Sequence, residues 1–526
     1  MKRHRIRRLG GTLVALGAAS ALLAGCSGNA DTSGTSTSDR SDTRPAPDRG
    51  GGHSRGEQPE DAFGQDEDAF GQDRDAERKH DVAPEEPDLL STFALDVDTA
   101  SYGYARRALA DGRLPDPSTV RPEEFLNSFR QDYERPDGNG FTVTVDGART
   151  GDAEWSLVRV GLATRPAGDE TERPPAALTF VIDVSGSMAE PGRLDLAKKS
   201  LAALTDQLRD DDSVALVTFT DEAETVLPMT RLDGDRDRDR IRDAVDGLET
   251  HQATNLGAGV ETGYATAVEG LREGATNRVV LISDALANTG DTDADSILEK
   301  IAEARTAHGI TLFGVGVGSD YGDALMERLA DRGDGHTSYV SDADDARKVF
   351  VEELPRTVDL TARDAKAQVA FDPETVEEAR LIGYDNRQVA DDDFRDDRVD
   401  GGEIGPGHTV TALYAVRTGS DATGHLATAT VRWQDPDTRT PHEESGQLEG
   451  DDLADAVGDA SDRFQVTAVA AYFADALRRA EPHHQRLPAA PTVRALADHA
   501  DALADTTADR AVRDLAEAID RADRML

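Results

Sequence analysis

Apolar residues along this chain fall into two rhythms, and the change from one to the other outlines its architecture. Between Ala176 and about Val358, short and nearly continuous apolar runs alternate with amphipathic stretches. The runs Ala176–Asp183, Ser213–Phe219, Arg278–Asp284 and Ile310–Gly318 predict strands. Their unbroken apolarity means that both faces are covered, as in a parallel sheet between helix layers. Between them Leu194, Ala197, Leu201, Leu204 and Leu208 recur at helical spacing; a similar pattern runs from Ser296 to Ala307, and Ala324 to Leu329 begins another short helix. Strand and helix in alternation predict an α/β domain with a doubly wound, mostly parallel sheet.

Outside this stretch the period is two. Val410, Ala412, Tyr414 and Val416 alternate with other residues, as do Ala427, Ala429, Val431 and Trp433, which predicts half-buried antiparallel strands. Strand-like runs also lie between Phe141 and Thr164, and these are expected to pack with Ala365–Gln434 in one β-sandwich beside the central domain. The tail returns to a helical period. Phe464, Ala468, Ala471 and Tyr472 form one stripe and Val512, Leu515, Ile519, Ala522 and Leu526 another; such stripes are core faces.

The first residues have a different logic. "MKRHRIRR" is basic, and Leu9–Leu23 is an apolar run of about 15 residues, too short for a good membrane span. It ends in "LAGC", Leu23–Cys26, which resembles the bacterial lipobox. That resemblance implies cleavage after Gly25 and a diacylglycerol on the sulfur of Cys26. Cys26 is the only cysteine, so a disulfide cannot brace the fold. From Asp31 to about Pro87 the chain is rich in Ser, Thr, Gly, Asp and Arg and poor in aliphatic residues, with "EDAFGQD" repeated at Glu60–Asp66 and Glu67–Asp73. It cannot bury enough apolar surface to fold alone. As a flexible tether of about 60 residues it would span roughly 40–45 Å.

Composition then narrows the partners. The 526 residues carry 103 acids against 58 bases, a formal charge of -45. Such a surface repels nucleic acid and anionic lipid. The length implies two or three domains. Together the patterns divide the chain into a signal peptide (1–25), an acidic tether (26–87), an N-terminal segment (88–170), the central domain (171–360), a β-rich region (361–450) and C-terminal helices (451–526).

Candidate chemistry gathers at the strand ends. In "FVIDVSGSM", Phe180–Met188, Asp183, Ser185 and Ser187 form Asp-x-Ser-x-Ser, and alternate residues leaving a strand point the same way. Asp284 ends another predicted strand, and "HQATNLGAG", His251–Gly259, places Thr254 in a loop just before a helix. In doubly wound folds, ligands collect at these carboxyl ends. All five are hard oxygen donors, which suits Mg²⁺, with Mn²⁺ or Ca²⁺ as alternatives, better than zinc or copper. Each alone reads equally as a helix N-cap.

Taken in order, these motifs resemble a von Willebrand factor A domain with a metal-ion-dependent adhesion site, covering residues 176–358. The resemblance implies that Ser185, Ser187 and Thr254 supply hydroxyls while Asp183 and Asp284 act largely through bound water. It also implies that a partner's Asp or Glu carboxylate completes the coordination sphere. The chain departs from the family at Ala253 and Ala285, where glycine is frequent. The stretches Ser91–Pro115, 364–387 and 402–417 are similar to segments that flank such domains in a group of bacterial surface lipoproteins. Asp96, Asp98 and Ser101 mimic a further metal cluster, but Asp98 or Thr99 is better read as the cap of the following helix.

Enzyme motifs are weak. There is no Walker A loop, no His-Glu-x-x-His and no Gly-x-Ser-x-Gly. "DGDRDRD", Asp233–Asp239, has Arg238 where a calcium loop needs glycine, so it reads as a solvated charge run. His483 and His484 read as exposed. The expectation is a non-enzymatic, extracytoplasmic lipoprotein that binds a protein through a divalent cation. An envelope scaffold working with a partner ATPase and a metal-dependent hydrolase are the alternatives.

Overall fold

A computed structural model describes residues 88–526, apart from 153, 167–172, 285–292, 319–325, 327–328, 331–334, 400, 419–422, 437 and 482–483. The signal peptide, Cys26, the tether with its repeat, Ala285, His483 and most of the helix expected at 324–329 lie outside the described residues. In chain order the first elements are β1 (Leu90–Ala94), α1 (Ala100–Ala110), α2 (Pro122–Asn127), β2 (Phe141–Arg149) and β3 (Trp155–Thr164). The central domain follows with β4 (Ala176–Asp183), α3 (Leu194–Gln207), β5 (Ser213–Phe219), β6 (Ala223–Arg231), α4 (Asp235–Asp246), α5 (Leu256–Glu269), β7 (Thr276–Ser283), α6 (Ala294–His308), β8 (Thr311–Val317) and β9 (His336–Val340). Then come β10 (Ala362–Phe371), β11 (Val376–Leu381), β12 (Gly402–Ile404), β13 (Thr409–Thr418), β14 (His425–Gln434) and β15 (Pro441–Glu449), and finally the helices Asp462–Leu477, Val493–Thr507 and Arg510–Asp523.

The central sheet runs β6-β5-β4-β7-β8-β9, parallel throughout except for the antiparallel edge strand β6. Its strands read as continuous apolar runs because each face has its own helix layer. On one side Leu178, Phe180 and Ile182 pack with Leu201 and Leu204 of α3 and Ile241 of α4. On the other, Val181 and Leu281 pack with Val260 and Tyr264 of α5 and Ile297 of α6. Helix α5 lies close to the sheet: a Cβ at Gly263 would stand 2.3 Å from a methyl of Val181. This is the mixed α/β fold expected of 171–360. Strands β6 and β9 were not expected. The former is half exposed and the latter short, so neither makes a long apolar run.

The flanks meet each other. β3 pairs with β13 in the sheet β11-β13-β3-β2, and β1, β10, β14 and β15 form a second antiparallel sheet with β12 beside β10. Val158, Val160, Val369, Tyr414 and Ala427 share one core between the two sheets. The central domain is therefore an insertion between the strands that build one sandwich. A fourth core joins α1 and α2 to the tail helices through Tyr102, Phe125, Phe473 and Leu515. Leu526 departs from its stripe and is 57 % exposed, because the last helix has already ended at Asp523. Among the described residues, no helix is long and apolar enough to cross a membrane.

Candidate functional site

Parallel register puts Ile182 of β4 beside Ile282 of β7, so Asp183 and Ser283 leave the sheet at the same level. The hydroxyl of Ser283 donates to Oδ2 of Asp183 at 2.6 Å, and the backbone N–H of Ser185 donates to Oδ1 at 2.8 Å. Both carboxylate oxygens are thus oriented before any ligand arrives. Asp183 is fully buried, and its pKa is pushed up to about 6, chiefly by burial. The two serine hydrogen bonds oppose that shift, and repulsion from Asp284 adds to it.

Beyond Asp183 the chain makes a tight turn, Gly186–Ala189. Ser185 stands at its start, yet its side chain forms no capping bond. Its Oγ lies 3.0 Å from that of Ser187 instead. Nor does either serine cap α3, whose N-cap is Arg193. The cap before α5 is Asn255, which accepts from Ala258, and not Thr254. The alternative reading of these residues as helix caps therefore fails for both serines and for Thr254.

The loop holding Thr254 is tied to the Asp-x-Ser-x-Ser turn from two sides. The N–H of His251 donates to the carbonyl of Val184 at 2.7 Å, and the N–H of Asn255 donates to the carbonyl of Thr220 at 2.5 Å. Thr254 is buried between these anchors. Ala253 has φ 73°, the left-handed conformation that glycine adopts freely and alanine does not. The loop thus places a methyl group at a left-handed position.

Asp284 is held in a way that the sequence did not suggest. Nη1 of Arg193 donates to Oδ2 of Asp284 at 2.8 Å and to the carbonyl of Ser187 at 3.0 Å. Arginine and aspartate are both buried, so this is an internal ion pair that links the turn after β4 to the end of β7. With 58 basic residues in the chain, nothing marked Arg193 before the fold was known.

The donor set fits a hard divalent cation. Two ligands at right angles around an ion with bonds of about 2.0–2.1 Å stand about 3 Å apart, and the serine hydroxyls lie 3.0 Å apart. Asp183, Ser185, Ser187, Thr254 and Asp284 would hold such an ion. It would supply a positive centre only partly neutralised by its ligands.

Two other expectations are corrected. Asp98 does not cap α1, and Thr99, at the cap position, makes no side-chain capping bond. The carboxylate of Asp98 accepts instead from the N–H and the hydroxyl of Thr337, at 2.8 and 3.0 Å. Long-range pairing overrides the local cap here. His484 is not a free surface residue: its Nε2 lies 3.0 Å from Oδ1 of the buried Asp475. The run 233–239 begins α4, with its charges mostly in solvent, as expected.

A parallel sheet between helix layers, with Asp-x-Ser-x-Ser, a threonine loop and an aspartate at its carboxyl edge, defines a von Willebrand factor A domain protein. Residues 177–352 match the von Willebrand factor type A domain, 357–423 the C-terminal region of uncharacterized protein YfbK, and 71–158 a segment described as von Willebrand factor. The chain belongs to the YfbK family: it is 34% identical over 421 residues to uncharacterized protein YfbK of Escherichia coli (strain K12), covering 74% of this chain and 72% of that one. It is also 24% identical over 218 residues to uncharacterized protein sll0103 of Synechocystis, covering 41% and 50% of the two chains. Among solved structures, a von Willebrand factor type A protein from Catenulispora acidiphila aligns with a TM-score of 0.42 at 15% identity, over 66% of this chain and 80% of that one.

Proposed function

We propose that this protein captures a protein ligand through a divalent cation held by Asp183, Ser185, Ser187, Thr254 and Asp284, a carboxylate of the partner completing the coordination. Von Willebrand factor A domains commonly mediate protein–protein interaction and often bind a divalent metal. The observation that carries the reading is that the two serine hydroxyls face each other at 3.0 Å and are not spent on helix caps. Neutral hydroxyls leave an ion electrophilic, and such an ion takes an anionic oxygen. Magnesium is the metal we assign, with manganese able to replace it. The reading includes anchoring: the lipobox-like Leu23–Cys26 would attach the chain to the outer face of the bacterial cell membrane through Cys26. No catalytic role is proposed.

The test is capture of binding partners on intact cells by crosslinking, with the metal present and then chelated. Wild-type protein should lose its partner in EDTA, and Asp183→Ala should fail to capture it in either condition. Equal capture in all four arms would sink the adhesion reading and leave an envelope scaffold in its place. Fractionation of wild type and Cys26→Ala checks the anchor: the variant should leave the membrane fraction.

A further inference from the structure

The loop after β1 carries Asp96 and Asp98 into the junction where the central sheet, the sandwich and α2 meet, and His336 at the start of β9 faces them there. All three are buried, and one ligand atom from each lies within 4.8 Å of the others. Nε2 of His336 lies 2.8 Å from the carbonyl oxygen of Glu403. A carbonyl only accepts, so Nε2 donates there, and Nδ1 is the ring nitrogen turned to the two carboxylates. That Nδ1 is buried, has no hydrogen-bond partner among the described residues and stands 3.5 Å from Oδ1 of Asp98.

Nδ1 and the carboxylate oxygens are all metal-ligand atoms, and a shared cation would join them. At 3.5 Å the pair is longer than an N–H···O bond, which runs to about 3.2 Å. A metal suits it well. With bonds of about 2.0–2.2 Å in tetrahedral geometry, neighbouring ligands stand about 3.3–3.5 Å apart. Charge points the same way. Nη2 of Arg387 reaches Oδ1 of Asp96 at 3.4 Å and Oδ2 of Asp98 at 3.5 Å, one guanidinium against two buried carboxylates. The ligands are also oriented: Asp96 accepts the N–H of Asp98 at 2.9 Å, and Thr337 holds Asp98.

We infer that Asp96, Asp98 and Nδ1 of His336 hold a divalent transition-metal cation, zinc, which clamps the loop after β1 to the edge strand of the central sheet. One imidazole with two carboxylates favours zinc over magnesium or calcium. This site is independent of the oxygen cluster at the carboxyl edge of the sheet.

The experiment uses the full chain carrying Asp183→Ala, which cripples the sheet-edge site. The protein is stripped with chelator, given zinc alone, and its bound metal and melting temperature are measured. One equivalent of zinc should be retained and the melting temperature should rise by several degrees. Adding His336→Gln should remove both effects. Asp183→Ala protein with a wild-type circular dichroism spectrum that retains no zinc would overturn the inference, leaving Nδ1 protonated against Asp98. Retention of the equivalent in the His336→Gln protein would overturn it equally. Should His336→Gln not fold, cobalt(II) replaces it as the probe. The Asp183→Ala protein should then give the intense visible absorption of a tetrahedral site with a nitrogen ligand, and the weak bands of an all-oxygen octahedral site would refute the assignment.

Discussion

The oxygen cluster at the sheet edge and the buried junction at Asp98 are built from similar side chains by opposite means. At the edge, Asp183, Ser185 and Ser187 leave one strand in sequence, and their spacing alone brings them together. At the junction, 239 positions separate Asp98 from the Thr337 that holds it, and five of the six strands of the central sheet lie between them. The Asp-x-Ser-x-Ser part of the first cluster is locally encoded. The second ties three parts of the chain together. A ligand site tolerates a carboxylate kept partly uncompensated, whereas a junction has to compensate its charges to exist.

Arg193 is the exception inside the first cluster, and it offers the sharpest test of the contrast. It is buried and paired with Asp284, so removing it leaves an uncompensated buried carboxylate. Breaking such pairs costs about 3–5 kcal/mol. Chemical denaturation of Arg193→Gln in chelator should show a loss of that order, and saturating Mn²⁺ should return part of it. A variant as stable as wild type in chelator would show that the pair contributes nothing to the fold.

Asp183→Ala should behave in the opposite manner. Its carboxylate is buried with a raised pKa, so the metal-free fold gains little from it. Loss of a group that orients a metal site costs about 10- to 100-fold in affinity. Calorimetric titration with Mn²⁺ should find that loss, while the melting temperature in chelator stays close to wild type. If stability collapsed and affinity survived, the edge would be a structural site like the junction, and the comparison would fail.

Legibility in the sequence follows the same division. The strands of the central sheet were readable because burial on both faces makes unbroken apolar runs, and Asp183, Ser185 and Ser187 because their spacing is local. β6 and β9 were not: one is half exposed, the other short. His336 was invisible as a partner of Asp98 because nothing along the chain marks a pairing made by the fold. Asp98 itself was misread as a cap because local rules place an aspartate before a helix there. Arg193 was hidden among many arginines, and only the register of β4 against β7 gives it a role.

The sandwich side of the junction supplies a pH test. His408 is half-buried just before β13, where its Nδ1 accepts the N–H of Gly405 at 3.3 Å. Burial, with repulsion from Arg356, Arg278 and Arg135, pushes its pKa down to about 3 from an ordinary 6.5. The folded protein keeps this ring neutral while the unfolded chain takes up a proton below pH 6.5. Its contribution is therefore fully present above pH 6.5 and is lost as the pH falls towards 3. Between pH 6.5 and 5 the wild type should lose about 1.5 kcal/mol more than His408→Gln. Parallel acid limbs for the two proteins would mean that the junction does not exclude this proton.

The smallest effect belongs to Ala253, beside Thr254. Its φ of 73° costs an alanine about 1–2 kcal/mol relative to the right-handed region. Glycine removes that cost but gives back about 0.4–1 kcal/mol through the greater freedom of the unfolded chain. Ala253→Gly should thus be more stable by roughly 0.5 kcal/mol, which careful denaturant titrations of the chelated protein can resolve. The informative quantity is the Mn²⁺ affinity measured alongside it. Because His251 and Asn255 pin the loop from both sides, relief of strain between them should leave the affinity within about twofold of wild type. A gain of tenfold or more would show instead that the methyl group holds Thr254 off the metal. The edge cluster would then be coupled to backbone strain in the way that the junction is coupled to its long-range partners.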